Sequence, residues 1–114
     1  MSKKAAFRVD SSKLIGGGHI YRCIYLAKQL KQKGYEILFI SKNLRGNINH
    51  IIRENNFKIK ILPKKFYDKR SKNFDIFTKK EQLKESEYLK EFLKDFKIVV
   101  IDHYGINFIW EKNL

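Results

Sequence analysis

The sequence predicts an α/β fold in which a parallel sheet is flanked by helices. Short apolar runs typical of buried strands alternate with segments whose apolar residues recur at helical spacing. The connections are too short for anything but right-handed crossovers, which favours parallel pairing of the strands. With 114 residues, 43% of them hydrophobic, the chain can bury one core, and we expect a single domain over residues 1–114.

Four segments have the composition of strands. Residues 5–10 form the first and end in Asp10, an acidic residue where the strand meets its loop. Residues 35–41 are mostly apolar, as in a strand covered on both faces. Residues 57–62 alternate apolar and polar side chains, which predicts one exposed face near an edge of the sheet. Residues 97–102 are the most strand-like run of the chain.

Three helices are expected between these strands. The first covers residues 19–33 and ends at Gly34. The apolar residues on one of its faces are Ile20, Cys23, Ile24, Ala27 and Leu30. A short helix is predicted over residues 46–56 and a long one over residues 79–96, with Leu89, Phe92, Leu93 and Phe96 on one face. Residues 64–78 show no clean period, and we interpret them as a surface loop or lid.

The formal net charge of +13 is the strongest feature of the composition. A basic surface attracts polyanions such as nucleic acid. However, 20 of the 25 cations are lysines spread along the whole chain, so we do not expect a nucleic-acid surface. Cys23 is the single cysteine, and the chain has neither an apolar run of membrane length nor a signal-peptide pattern. We therefore expect a cytoplasmic protein without internal disulfides or a membrane partner.

Two loops with unusual chemistry, residues 10–19 and 102–105, follow predicted strands. In parallel sheets, ligands bind beyond the carboxyl ends of the strands. The first loop is not a dinucleotide fingerprint, because Tyr21 stands where the third glycine belongs and the second strand supplies no carboxylate for a ribose. It is not a phosphate loop either, because no Gly-Lys-Ser/Thr follows the glycines.

The glycine run and the residues after it still suit a binding site. Gly16, Gly17 and Gly18 let a substrate approach the backbone, and the first turn of the following helix offers N–H groups. The positive end of a helix disfavours a protonated imidazole, so His19 is expected to stay neutral and to accept a proton. Arg22, on the same side of the helix, can meet a phosphate or hold an acidic partner. The alternative is a tight turn whose histidine only caps the helix, and the residues alone leave both open.

Two separated motifs carry a resemblance. The first comprises Phe7 to Ser12, Ile15 to His19, Arg22-Cys23 and Leu26-Ala27. The second comprises Ile101 to Gly105, followed by Trp110-Glu111. In this order they resemble the nucleotide-sugar hydrolases of pseudaminic acid biosynthesis, whose full name is UDP-2,4-diacetamido-2,4,6-trideoxy-β-L-altropyranose hydrolase. The resemblance extends from about residue 5 to the end of the chain.

The resemblance implies a Rossmann-like N-terminal domain of a glycosyltransferase-B type fold, with the active site in a cleft. It implies hydrolysis of a UDP-linked sugar at the anomeric carbon, with inversion and without a metal or another cofactor. His19 occupies the position of the proposed general base. We interpret Asp10 as orienting His19 or a sugar amide, and Tyr104 as a wall of the sugar pocket.

The other two histidines are less specific. His103, beside Asp102, forms either a carboxylate–imidazole pair in the cleft or a structural hydrogen bond at the strand end. His50 lies in a polar stretch, and we interpret it as a surface residue. A metal set of the two aspartates Asp10 and Asp102 with His19 and His103 has no spacing that resembles a zinc motif, so no metal is expected.

In the family that the chain resembles, a following second domain holds most of the uridine and diphosphate. We therefore expect the 114-residue chain alone to hydrolyse little substrate and to need a missing C-terminal domain or a partner chain. Two alternatives stay open. One is a glycosyltransferase-like domain that transfers the sugar to an acceptor, and the other is a non-catalytic basic module that binds nucleic acid.

Overall fold

The computed structural model describes residues 3–12, 16–63 and 79–102. Strands and helices alternate along these ranges. In chain order they are β1 (Lys3–Val9), α1 (Gly18–Gln32), β2 (Tyr35–Ser41), α2 (Asn49–Glu54), β3 (Lys58–Ile61), α3 (Lys79–Leu93) and β4 (Ile98–Asp102). The lid expected over residues 64–78 and the second loop beyond Asp102 lie outside the described residues.

The four strands form one parallel sheet in the order β3-β2-β1-β4. Helices cover both faces, so the predicted α/β fold is confirmed, and it is Rossmann-like. The chain moves outward from β1 through β2 to β3 and then returns to place β4 on the other side of β1. The strand order therefore reverses between β1 and β4, and the carboxyl ends of the strands at such a reversal are where open α/β sheets bind ligands.

Side chains alternate across the sheet and supply two cores. On one face, α1 and α2 cover an aromatic row in which the Phe7 and Phe39 rings stack with centroids 5.1 Å apart, and Phe57 lies 5.6 Å from Phe39. On the other face, Leu89 and Leu93 of α3 pack against residues of β1 and β2 and against Leu62. Each fully buried phenylalanine contributes about 2–3 kcal/mol of burial free energy. Residues of β1 belong to both cores, so the strand is packed between α1 on one face of the sheet and α3 on the other.

The predicted bounds hold best where the chain is apolar. The second strand was predicted at residues 35–41 and is found there, and β3 lies at an edge of the sheet as expected. The second helix is shorter than predicted because Gly46 and Asn56 have positive φ angles of 75° and 65°, which a right-handed helix does not allow. In the third helix, Phe92 is 42% exposed rather than on the buried face, and Lys60 lies 5.0 Å from the centre of its ring.

No helix within the described ranges is long and apolar enough to cross a membrane.

Candidate functional site

The candidate site lies at the carboxyl ends of β1 and β4. His19 is the second residue of α1, the helix that follows β1, and Asp102 is the last residue of β4. Because β4 pairs with β1, the start of α1 lies beside the end of β4. As a result, His19 Nδ1 is 2.6 Å from Asp102 Oδ1, although 83 positions separate the two residues in the chain.

The charge of Asp102 determines which nitrogen of His19 holds the proton. Partial burial raises the pKa of Asp102, but hydrogen bonds from Arg22 and His19 lower it more, so the pKa lies below the usual range. Asp102 is therefore ionised at neutral pH and can only accept hydrogen bonds. The short contact requires the proton on Nδ1 of His19, which leaves the basic lone pair of a neutral imidazole on Nε2.

Arg22 holds the same carboxylate from the next turn of α1. Its Nε donates to Asp102 Oδ2 at 2.8 Å, and its Nη2 donates to Oδ1 at 2.6 Å. Nη2 is also 3.0 Å from His19 Nδ1. Because both nitrogens carry protons, that approach is a contact and not a hydrogen bond. Of the two partners that the sequence allows for Arg22, the structure contains the acidic one, and we call His19, Arg22 and Asp102 the His19 cluster.

Cys23 lies beneath this cluster. It belongs to the core on the α1 face, as the sequence predicts, and is 2% exposed. Its Sγ is 3.7 Å from Asp102 Oδ2, to which the thiol donates. Burial, together with the negative charge of Asp102, raises the pKa of the Cys23 thiol to about 12. Cys23 is therefore a protonated core residue and not a nucleophile at neutral pH.

The three glycines before His19 serve different purposes. Gly16 has a φ of +82° and donates its N–H to the Ser12 carbonyl at 2.8 Å, which closes the loop. A Cβ atom on Gly17 would lie 2.5 Å from Cδ1 of Ile48. A Cβ atom on Gly18 would meet none of the described residues within 4 Å. Gly16 therefore shapes the loop, Gly17 lies against the end of the Ile48 side chain, and Gly18 has open space around it among the described residues.

Asp10 does not have the position that its expected role requires. Its Oδ1 accepts from the Lys42 backbone N–H at 2.7 Å and pairs with Arg8 Nη1 at 2.8 Å. These contacts draw the carboxylate toward the face of the sheet that α3 covers, whereas α1 lies on the opposite face. The carboxylate that holds His19 is Asp102, so the interpretation of Asp10 as the residue orienting His19 is corrected. Whether Asp10 meets a sugar amide stays a prediction.

A buried group of charges surrounds Asp10, and it was not predicted from the sequence. Arg8 donates from Nε and Nη2 to the two carboxylate oxygens of Glu85, at 2.7 and 2.9 Å. Both residues are fully buried. Burial alone would lower the pKa of Arg8, but the charges of Asp10 and Glu85 raise it further, so the guanidinium stays charged. Lys42 is 2% exposed, and burial lowers its pKa to about 8 even though the charge of Asp10 acts in the opposite direction. We call Arg8, Asp10, Lys42 and Glu85 the Arg8 cluster.

The sequence contained a signal from which the Arg8–Glu85 ion pair could have been predicted. Arg8 stands between the apolar residues Phe7 and Val9 in a strand covered on both faces, so its charge needs a buried partner. Glu85 precedes Leu89 by four positions and therefore shares the buried face of α3. The other predicted site residues, His103 and Tyr104, lie outside the described residues.

The His19 cluster is suited to proton transfer. A carboxylate fixes the tautomer and the orientation of an imidazole whose second nitrogen can accept a proton, and the group stands at a ligand-binding edge of the sheet. Within the described ranges, no group of three or more His, Cys, Asp or Glu residues lies close enough together to hold a metal ion. No protein-family model matches the chain, and no curated protein matches it either.

Proposed function

We propose that this chain supplies the catalytic base of a hydrolase that acts on a UDP-linked diacetamido-trideoxy sugar. The observation that carries the proposal is the 2.6 Å contact between His19 Nδ1 and Asp102 Oδ1. A carboxylate on Nδ1 directs the basic lone pair to Nε2, which is the arrangement that a general base needs. The choice of substrate comes from the resemblance of the two sequence motifs, one of which contains His19 and the other Asp102.

In the proposed reaction, Nε2 of His19 takes a proton from a water molecule as its oxygen attacks the anomeric carbon. The bond between that carbon and the oxygen of the β-phosphate breaks, and its electron pair leaves with UDP. The products are the free sugar, with inverted configuration at the anomeric carbon, and UDP. General-base assistance of this kind contributes about 100- to 10,000-fold to the rate.

The surroundings of His19 are consistent with this role. Asp102 is ionised and can stabilise the imidazolium that forms when His19 takes the proton. Gly18, one residue before His19, has open space around it among the described residues. The first turn of a helix offers unpaired backbone N–H groups and a partial positive charge, which favour a negatively charged substrate near the start of α1.

The test is UDP release from the UDP-linked 2,4-diacetamido-2,4,6-trideoxy sugar. It is measured on this chain together with the C-terminal domain or partner chain that the resemblance implies, and we call this assembly the intact protein. We expect His19→Gln to lower kcat by at least about 100-fold, because the substitution removes the base. His50→Gln is the matched control, since His50 is an exposed histidine of α2 that does not belong to the His19 cluster. Unchanged turnover in His19→Gln would contradict the proposal.

Product analysis tests the reaction type separately. Hydrolysis puts the oxygen of water on the anomeric carbon, so in ¹⁸O-labelled water the label appears in the free sugar. If the sugar instead appears on an added acceptor alcohol and carries no label, the chain belongs to a transferase and not to a hydrolase.

A further inference from the structure

One side of α1 presents three residues to a single carboxylate. His19, Arg22 and Cys23 follow each other at helical spacing, and each contacts Asp102. Two donors, from His19 and Arg22, share Oδ1. The Oδ2 atom receives Nε of Arg22 at 2.8 Å. The orientation of the Asp102 carboxylate is therefore set mainly by Arg22, which contacts both of its oxygens.

Asp102 needs such an anchor because of its place in the fold. It is the last residue of β4, a strand that lies at an edge of the described sheet and is half-buried along its whole length. An aspartate side chain in that position can rotate about two bonds. A planar guanidinium that binds both oxygens fixes the plane of the carboxylate, which a single donor cannot do.

We propose that Arg22 is a positioning residue that holds Asp102 in the orientation that keeps the proton of His19 on Nδ1. The consequence for catalysis rests on the proposed function, because only a general base needs the lone pair on Nε2. The geometric part stands without it. With Arg22 removed, the Asp102 carboxylate turns away from Nδ1 in part of the molecules, and the proton of a neutral His19 then distributes between the two nitrogens.

The contacts favour this role over direct binding of the substrate diphosphate. Nε and Nη2 of Arg22 both donate to Asp102, so a phosphate would have to compete with a two-point ion pair. The two roles also predict different kinetics. Loss of a phosphate contact raises KM, whereas loss of a positioning contact lowers kcat and leaves KM unchanged.

The first experiment measures the His19 tautomer in the 114-residue chain by long-range ¹H–¹⁵N NMR, at a pH where the imidazole is neutral. We expect the wild type to show the proton on Nδ1 and Arg22→Met to show a mixture of both tautomers. Arg22→Lys, which keeps the positive charge but on a single nitrogen, should give an intermediate spectrum. Arg53→Met, which removes an exposed arginine of α2, is the matched control and should match the wild type.

The second experiment measures kinetics in the intact protein. Arg22→Met should lower kcat by about 10- to 100-fold with KM unchanged, the usual effect of losing a group that orients a functional side chain. An unchanged tautomer in Arg22→Met, or in Arg22→Lys if the first variant does not fold, would overturn the proposal. A raised KM with normal kcat would overturn it in favour of phosphate binding. If the tautomer shifts but the wild type releases no UDP, the proposed function fails and the positioning role stands.

Discussion

Two groups of charged residues flank β1, and they differ in their access to solvent. The Arg8 cluster lies under α3, and each of its four residues is at most 2% exposed. The His19 cluster lies at the end of the same strand on the α1 side, where the side chains of Arg22 and Asp102 are 64% and 17% exposed. Both contain an arginine that binds a carboxylate through two nitrogens. The same type of arginine–carboxylate ion pair is thus found in a buried and in a partly exposed environment of one small sheet.

The difference separates a structural from a functional use of charge. A charge that water cannot reach must keep its partner, because an uncompensated buried ion costs several kcal/mol. The Arg8 cluster therefore ties α3 and the end of β2 to β1. A half-exposed pair costs little to break, and its groups can still meet a substrate. We accordingly expect substitutions in the Arg8 cluster to change stability, and substitutions in the His19 cluster to change activity.

The largest expected effect is the loss of folding stability caused by a substitution in the Arg8 cluster. Glu85→Gln removes the carboxylate that Arg8 binds through two nitrogens and leaves Asp10 as its other charged partner, and it should lower the free energy of unfolding by about 3–5 kcal/mol. Glu91→Gln on the same helix is the control, because Glu91 is exposed and its contact with Lys94 is a surface ion pair, so we expect a loss below about 1 kcal/mol. Urea unfolding of the two variants measures the difference. Equal losses would remove the distinction between the clusters.

The next effect is a change in folding stability with pH in the alkaline range, which arises from Lys42. Lys42 has a pKa of about 8 in the folded chain and 10.5 as its ordinary value. Between these values Lys42 binds more protons in the unfolded chain than in the folded chain, so its contribution to stability rises with pH across this window and is constant outside it. The difference of about 2.5 units limits the gain to about 3 kcal/mol.

The gain is measured as the stability of the wild type minus that of Lys42→Met in urea, at pH values across the window. The subtraction cancels the contribution of Cys23, whose raised pKa acts in the opposite direction above its ordinary value. A difference that does not change with pH would show that the Lys42 ammonium is not desolvated in the fold.

The sequence predicted the elements more successfully than the pairs between them. Apolar spacing locates β2 at both ends and identifies β3 as an edge strand, because burial imposes that spacing on the chain. The partner of His19 depends on the order of the strands. Asp10 is nearer to His19 in the sequence, but Asp102 is nearer in space because β4 pairs with β1. The spacing of residues in the sequence does not reveal the order of the strands, so the sequence offered Asp10 as one possible partner of His19, and Asp102 is the carboxylate that the structure places there.

A smaller effect is expected in the loop that joins the two clusters. Gly16→Ala places a side chain at a φ of +82° and should cost about 1–2 kcal/mol. Gly18→Ala is the matched control two residues away. The new Cβ atom meets nothing within 4 Å in the part of the chain that the structure describes, and Gly18 begins a helix, so we expect no loss or a gain of about 0.5 kcal/mol. Urea unfolding again measures both. A larger loss for Gly18→Ala than for Gly16→Ala would contradict the loop geometry.

The smallest expected change in stability is that of Asp102→Asn. Since Arg22 is mostly exposed, removing the charge of its partner should cost no more than about 1 kcal/mol at neutral pH. The folded chain holds the pKa of Asp102 below its ordinary value, so this contribution is complete above about pH 4 and is lost as the pH falls through the folded pKa. The wild type and the variant should therefore unfold at the same urea concentration in strong acid. If Asp102→Asn instead cost as much as Glu85→Gln, the His19 cluster would be a structural ion pair like the Arg8 cluster. Its partial exposure would then be no guide to function.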